Sequence, residues 1–160
     1  MYRVMIIDDE KALRNLLKAS VDWQEMGLEV VGEAASGIEA INIIDKLRPD
    51  IIFVDIRMPF MDGIEFSKIA LKRYRQMKII ILTAFDEFEY AKQALKLNAV
   101  DYLNKPLETK QLVQVLREAE RLSKEAKRNN DILRDKYPFL QRHYLSQLMY
   151  QHFREIDAAV

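Results

Sequence analysis

Several features that would point to particular protein classes are missing from this sequence. Cysteine does not occur among the 160 residues, so disulfide bonds are excluded, and the chain suits a reducing compartment such as the cytoplasm. No apolar run approaches the roughly 18 residues of a membrane span, and the N-terminus turns acidic at Asp8, unlike a signal peptide. Basic and acidic residues number 25 each, which argues against nucleic-acid binding through bulk positive charge. With 49% hydrophobic and 31% charged residues, the composition is that of a globular protein, and we expect it to be cytoplasmic and without a membrane contact.

What is present is an alternation of two kinds of segment. Five short, mostly apolar runs rich in β-branched residues are typical of strands buried on both faces of a parallel sheet. They are Val4–Ile7, Leu28–Val31, Ile51–Val54, Ile79–Leu82 and Val100–Leu103. Segments of helical period lie between them, and three have the spacing of a capping box at their start: Ser36 with Glu39, Asp62 with Glu65, and Asp86 with Glu89. We therefore predict an α/β fold, a (βα)5 doubly wound, flavodoxin-like parallel sheet in the order 2-1-3-4-5.

The chain changes character near residue 108. Glycine and proline do not occur from residue 108 to residue 135, which predicts one extended helix that ends before Pro138 and is followed by a short amphipathic helix. Apolar residues recur every seven positions along it, at Leu112, Ala119, Ala126 and Leu133. We interpret this stripe as a dimerisation seam; the alternative is that its first half packs on the domain and its second half faces solvent. The predicted division is a domain at 1–122 and a helical linker or dimerisation segment at 123–160.

Polar residues stand just past the predicted strands. Asp8, Asp9 and Glu10 follow the first strand, Asp55 the third, Thr83 the fourth and Lys105 the fifth. The carboxyl ends of parallel strands meet in one crevice, where ligands bind. Clustered carboxylates repel one another, and a hard-oxygen set without His or Cys favours Mg2+ (or Mn2+). Glu10 has an alternative role in the first turn of the next helix.

The cation and hydroxyl of this predicted crevice suit an anion with several oxygens. Lys105 supplies a mobile positive charge and Thr83 a hydroxyl donor, which together fit a phosphoryl group beside the metal. An Asp carboxylate can accept such a group as an acyl phosphate. Asp55, the single acid at the end of the central strand, is the best candidate for that role.

Four segments together resemble the receiver domain of two-component response regulators, over roughly residues 1–122. They are Ile6–Glu10, Phe53–Gly63, Ile81–Ala84 and Asp101–Pro106. The resemblance implies a phosphorylation-activated switch rather than an enzyme, with a sensor histidine kinase as the phosphoryl donor. It also implies that Asp55 is the phosphoacceptor and that Mg2+ is held by Asp8, Asp9, Asp55 and the backbone carbonyl of Arg57.

The same resemblance assigns roles to the remaining positions. Thr83 matches the switch hydroxyl, the small Ala84 beside it leaves the site accessible, and Lys105 matches the lysine that pairs with phosphate. The Lys105–Pro106 bond is expected to be cis, and Tyr102 matches an aromatic switch, with an ordinary edge-strand aromatic as the alternative. Arg57 and Phe85 occupy the rim positions that tune phosphoryl lifetime. Their bulk leads us to expect slow self-dephosphorylation.

Two further stretches, Val21–Ala34 with its Trp23 and Phe85–Ala91, resemble the receivers of AraC-type regulators of Gram-positive bacteria. This implies a transcription regulator that forms a homodimer on phosphorylation. DNA contact would be made only by a helix-turn-helix domain that we expect to be missing from this chain. Trp23 itself is expected to pack a helix against the sheet.

Two other readings remain open. A haloacid-dehalogenase-like phosphohydrolase also uses an Asp nucleophile with Mg2+, Thr and Lys, but it needs a second acid two residues after the nucleophile, where this chain has Arg57. Its nucleophile also sits on the first strand rather than the third. A stand-alone receiver that relays phosphate or binds a protein partner is the second alternative, and the residues after Leu122 argue against such a minimal protein.

Overall fold

The computed structural model describes residues 1–84 and 99–129 and, between those ranges, residues 89, 92, 93 and 96. Five parallel strands form one sheet in the order β2-β1-β3-β4-β5. The strands are β1 Tyr2–Ile7, β2 Leu28–Ala34, β3 Ile51–Asp55, β4 Lys78–Thr83 and β5 Asp101–Asn104. The helices are α1 Lys11–Ala19, α2 Gly37–Leu47 and α3 Gly63–Arg73. The single residues 89, 92, 93 and 96 are helical, and residues 109–129 form a long helix after β5.

The predicted fold class, strand order and long helix are confirmed. The predicted bounds of each strand lie within three residues of the observed ones. The short helix predicted after Pro138 lies outside the described residues. Within the part of the chain that the structure describes, no helix has both the length and the apolar character needed to cross a membrane.

The core has two layers because successive residues of a strand point to opposite faces of the sheet. Met5 and Val54 pack with the buried faces of α2 and α3 on one side. Ile6 and Phe53 pack on the other side with α1 and the long helix. Trp23 belongs to this second layer, where its ring meets Phe53 edge-on at 6.1 Å between centroids. The predicted packing role of Trp23 is therefore confirmed.

Two of the three predicted capping boxes start helices. The Ser36 hydroxyl accepts a hydrogen bond from the backbone N–H of Glu39 at 3.1 Å, and the Asp62 carboxylate accepts one from Glu65 at 2.8 Å. Each bond satisfies a backbone donor that a helix start leaves without a partner. The third predicted box, which begins at Asp86, lies outside the described residues.

The first part of the long helix is built into the domain core. Leu112, Leu116 and Ala119 are fully buried in the second layer. Leu112 and Ala119 are therefore not accessible to a second copy of the chain. The predicted dimerisation seam is wrong for these two residues, and the alternative, in which the first half of the stripe packs on the domain, describes them correctly. Ala126 is half-buried, and Leu133 lies outside the described residues.

The chain divides into two units by its internal packing, Met1–Ser123 and Lys124–Val160. The sheet, α1 to α3 and the candidate site all belong to the first unit. Of the second unit, the structure describes the helical residues 124–129. The boundary at residue 122 stays a prediction.

Candidate functional site

The carboxyl ends of four neighbouring strands bring the candidate polar residues together. They are Asp8 directly after β1, Asp55 at the end of β3, Thr83 at the end of β4, and Lys105 directly after β5. The backbone N–H of Lys105 donates to the Thr83 carbonyl at 2.7 Å, which fixes the ends of β4 and β5 to each other. Positions that are far apart in sequence thus share one edge of the sheet.

The centre of this edge is a buried pair of carboxylates bridged by a lysine. Lys105 Nζ lies 3.3 Å from Asp8 Oδ2 and 3.3 Å from Asp55 Oδ1. Asp8 is 0% exposed and Asp55 is 4% exposed. Because water screens such buried charges poorly, the lysine offsets part of the repulsion between the two carboxylates.

The pKa values of Asp55, Asp8 and Lys105 are all raised in this cluster. Burial, together with the neighbouring Asp8 carboxylate, raises the pKa of Asp55 to about 7. Burial also raises the pKa of Asp8. For Lys105, burial opposes the charged ammonium, but the carboxylates of Asp55 and Asp8 outweigh it and raise the pKa of the lysine. When both carboxylates are ionised, one ammonium faces two buried acids, and the three groups together lack one positive charge.

Asp8 is held from several directions. Its Oδ1 accepts a hydrogen bond from the backbone N–H of Glu10 at 2.9 Å, and its carbonyl oxygen accepts one from Arg14 Nη1 at 2.6 Å. Arg14 is in turn held by Glu33, whose Oε1 accepts from Arg14 Nε at 2.8 Å. The remaining atom, Asp8 Oδ2, is buried and accepts no hydrogen bond, although Lys105 stands within ion-pair distance. Nothing in the sequence pattern distinguishes Arg14 or Glu33, because their contacts join separate elements.

The oxygen atoms at the end of β1 fit a divalent cation. Asp8, Asp9 and Glu10 each offer a carboxylate oxygen, and these atoms lie within 4.8 Å of one another. Asp9 and Glu10 are exposed, whereas Asp8 is buried. Carboxylate oxygens are the ligands that Mg2+ prefers. The buried Asp8 Oδ2 without a hydrogen bond and the missing positive charge both suit such an ion.

The hydroxyl of Thr83 is turned to Asn104, a residue that the sequence pattern does not indicate. Thr83 is 1% exposed, and its Oγ1 donates to Asn104 Oδ1 at 2.8 Å. Asn104 directly precedes Lys105, but nothing in its spacing distinguishes it from other polar residues near a strand end. Ala84 follows Thr83 and is half-buried.

The loop after β3 leads to Gly63, the first residue of α3, which lies very close to the backbone of Asp55. The N–H of Gly63 donates to the Ile56 carbonyl at 2.8 Å, and a Cβ atom on Gly63 would lie 2.2 Å from the Asp55 carbonyl oxygen. Within the loop, Arg57 is exposed. Phe60 is 95% exposed and has a φ of 69°, an uncommon conformation for a bulky side chain.

The other predicted site residues are placed as follows. Tyr102 lies on β5, half-buried against the first core layer. The Lys105–Pro106 peptide bond is cis. Glu10 precedes α1 and makes no side-chain capping bond there. Phe85 lies outside the described residues.

Comparison with known proteins places these features in a family. Residues 4–117 match the response regulator receiver domain. BtsR, a transcriptional regulatory protein of Salmonella typhi, is 43% identical over 72% of this chain and 47% of its own length. YesN, an uncharacterized transcriptional regulatory protein of Bacillus subtilis, is 35% identical over 74% of this chain and 32% of its own length. The chain therefore spans less than half the length of these curated relatives.

Solved structures give the same result. The receiver domain of AraT from Geobacillus stearothermophilus is 39% identical, with a TM-score of 0.73 over 78% of this chain and 98% of that one. A two-component transcriptional regulator AraC from Clostridium phytofermentans is 32% identical, with a TM-score of 0.75 over 79% of this chain and 98% of that one. The predicted resemblance is confirmed. This chain belongs to the response regulator receiver domain family, and its relatives include proteins named as transcriptional regulators.

Proposed function

We propose that this chain is the phosphorylation-activated switch of a two-component transcription regulator, with Asp55 as the phosphoacceptor. The observation that carries the proposal is the buried Asp55 carboxylate, 3.3 Å from the Lys105 ammonium and beside Asp8. A carboxylate oxygen so placed can attack phosphorus while the lysine pairs with the phosphoryl oxygens. The sensor histidine kinase and a location in the cytoplasm are proposed with it, because they accompany this family.

The proposed transfer moves one phosphoryl group between two proteins. An Asp55 oxygen attacks the phosphorus of a phosphohistidine, and the new P–O bond forms as the P–N bond breaks. The electron pair of the broken bond returns to the histidine nitrogen, which leaves an acyl phosphate on Asp55. The receiver contributes position and charge, with Lys105 facing the Asp55 oxygen and Thr83 offering a hydroxyl donor.

Mg2+ would be held by Asp8, Asp9, Asp55 and the backbone carbonyl of Arg57. When bound, the ion neutralises the negative charge that the carboxylates and the incoming phosphoryl oxygens bring together. Two features support this assignment: the buried Asp8 Oδ2 without a hydrogen bond, and the single ammonium opposite two buried acids.

The proposed switch begins at Thr83 and ends at the long helix. The hydroxyl of Thr83 turns to the phosphoryl oxygens, and Tyr102 moves into the space that Thr83 leaves. Leu103 of β5 and Leu116 of the long helix share one core layer, so a shift of β5 reaches the helix through packed side chains. We propose that this change promotes a homodimer and that DNA binding belongs to another part of a longer regulator.

A labelling experiment tests the phosphoacceptor. Wild type, Asp55→Asn and the control Asp62→Asn are incubated with acetyl phosphate and Mg2+, and their intact masses are measured. Wild type should gain one phosphoryl group and Asp55→Asn none. Asp62 caps α3 through its side chain, and Asn caps a helix equally well, so the control should label like wild type. Labelling of Asp55→Asn at the wild-type level, or no labelling of wild type, refutes the proposal.

The same samples test the later steps. Sedimentation with beryllofluoride and Mg2+ should show wild type shifting from monomer to dimer at micromolar concentration. A form that stays monomeric contradicts the dimer without touching the phosphoacceptor. The decay of labelled wild type measures the slow self-dephosphorylation that we propose from Arg57 and Phe85.

A further inference from the structure

The hydroxyl proton of Thr83 is already engaged. A threonine hydroxyl has one proton to donate, and in this structure the proton is directed to Asn104 Oδ1 at a distance of 2.8 Å between the oxygens. Thr83 is 1% exposed, so bulk water does not offer its hydroxyl an alternative acceptor. The hydroxyl that is proposed to bind a phosphoryl group on Asp55 must first leave Asn104.

The backbone holds the two side chains next to each other. Thr83 and Asn104 are register partners on the parallel strands β4 and β5. The N–H of Lys105 donates to the Thr83 carbonyl at 2.7 Å, directly after this pair. The strand ends therefore cannot separate without breaking a backbone hydrogen bond. Breaking the Thr83–Asn104 bond requires only rotation of the Thr83 side chain, since its Oγ1 depends on one torsion angle.

We propose that Asn104 is a positioning residue that holds the Thr83 hydroxyl in its resting orientation and so opposes phosphorylation-driven switching. This inference rests on the proposed function, because it assumes that Thr83 binds the phosphoryl oxygens. The amide oxygen is a neutral acceptor, whereas phosphoryl oxygens are charged acceptors and bind a hydroxyl more strongly. Moving the Thr83 hydroxyl from the Asn104 oxygen to the phosphoryl oxygens therefore favours the phosphorylated state. The gain is smaller than it would be if the hydroxyl had no hydrogen bond to break.

The test measures the affinity for beryllofluoride, a phosphoryl mimic, in the presence of Mg2+. The variants are Asn104→Ala, Thr83→Val and the double substitution, with Gln111→Ala as the control. Gln111 lines the same surface cleft as Asn104 and carries the same amide group. Asn104→Ala should bind beryllofluoride about 5-fold more tightly than wild type, which corresponds to about 1 kcal/mol and to one neutral hydrogen bond. Gln111→Ala should bind like wild type.

The double substitution separates positioning from general loosening of β5. In the Thr83→Val protein there is no hydroxyl to hold, so adding Asn104→Ala should leave the affinity unchanged. If Thr83→Val abolishes binding of beryllofluoride, the inference is tested by the affinity of Asn104→Ala compared with that of Gln111→Ala. Affinity of Asn104→Ala equal to or weaker than wild type overturns the inference, as does an equal gain in the valine background. Failure of wild type to bind beryllofluoride through Asp55 would instead overturn the proposed function.

Discussion

Gly63 offers the most severe steric test of the site. A Cβ atom built on Gly63 would lie 2.2 Å from the Asp55 carbonyl oxygen, 2.9 Å from the Asp55 carbonyl carbon and 3.0 Å from Ile56 Cα. All three atoms belong to the backbone at the end of β3, so no side-chain rotation can relieve the contact. Gly63→Ala must therefore move either the start of α3 or the strand end that carries the phosphoacceptor.

The size of the effect follows from that geometry. Nonbonded carbon and oxygen atoms do not approach closer than about 3 Å, so the backbone must shift by nearly an ångström, which breaks the 2.8 Å hydrogen bond from Gly63 to Ile56. Overpacking in a well-packed region typically costs about 1–3 kcal/mol, and a backbone clash falls at the upper end. We expect Gly63→Ala to lower the free energy of unfolding by about 3 kcal/mol and to abolish beryllofluoride binding.

Gly32→Ala is the matched control. Its added Cβ would meet Leu47 Cδ1 at 2.5 Å, the far end of a flexible side chain. That contact can be relieved by rotation of Leu47, so the change in unfolding free energy should stay within about 1 kcal/mol. Urea denaturation followed by circular dichroism measures both variants. Equal midpoints for the two proteins would refute the reasoning, because they would show that the β3 end yields as easily as a leucine side chain.

Two further predictions concern the residues that hold Asp8 and β2. Arg14→Met should weaken Mg2+ binding about tenfold, measured by calorimetry, while Lys18→Met should not change it. Both side chains pair with Glu33, but only Arg14 also bonds the Asp8 carbonyl; equal effects would contradict this. Hydrogen bonds from Lys18 and Arg14 lower the pKa of Glu33 below 4.5. The stabilisation that ionised Glu33 contributes to the fold is present above pH 4.5 and is lost as the pH falls further. Glu33→Gln should therefore make the free energy of unfolding, measured in urea, depend less on pH in the acid range.

The fold was predictable because its signals are local. Buried runs such as Ile51–Val54 and the capping residue Ser36 act within a few positions of themselves, and both were found where the pattern placed them. The convergence of Asp8, Asp55 and Lys105 also follows from local signals, since each stands at the end of a strand and parallel strands end at one edge. The long helix was predicted, but its core contacts were given only as the alternative to a dimerisation seam, because a seven-residue stripe does not show whether its partner is the sheet or another chain.

The unpredicted part of the site consists of contacts between side chains that are distant in sequence. Arg14 and Glu33 are 19 residues apart, and Thr83 and Asn104 are 21 apart. Spacing rules compare neighbours along one helix or strand, so they carry no signal for such pairs. The residues that perform the proposed chemistry can therefore be identified from motifs, whereas the residues that set its resting state cannot. A relative that keeps Asp55 and Thr83 but has no acceptor at position 104 would share the chemistry and, by the reasoning above, switch more readily.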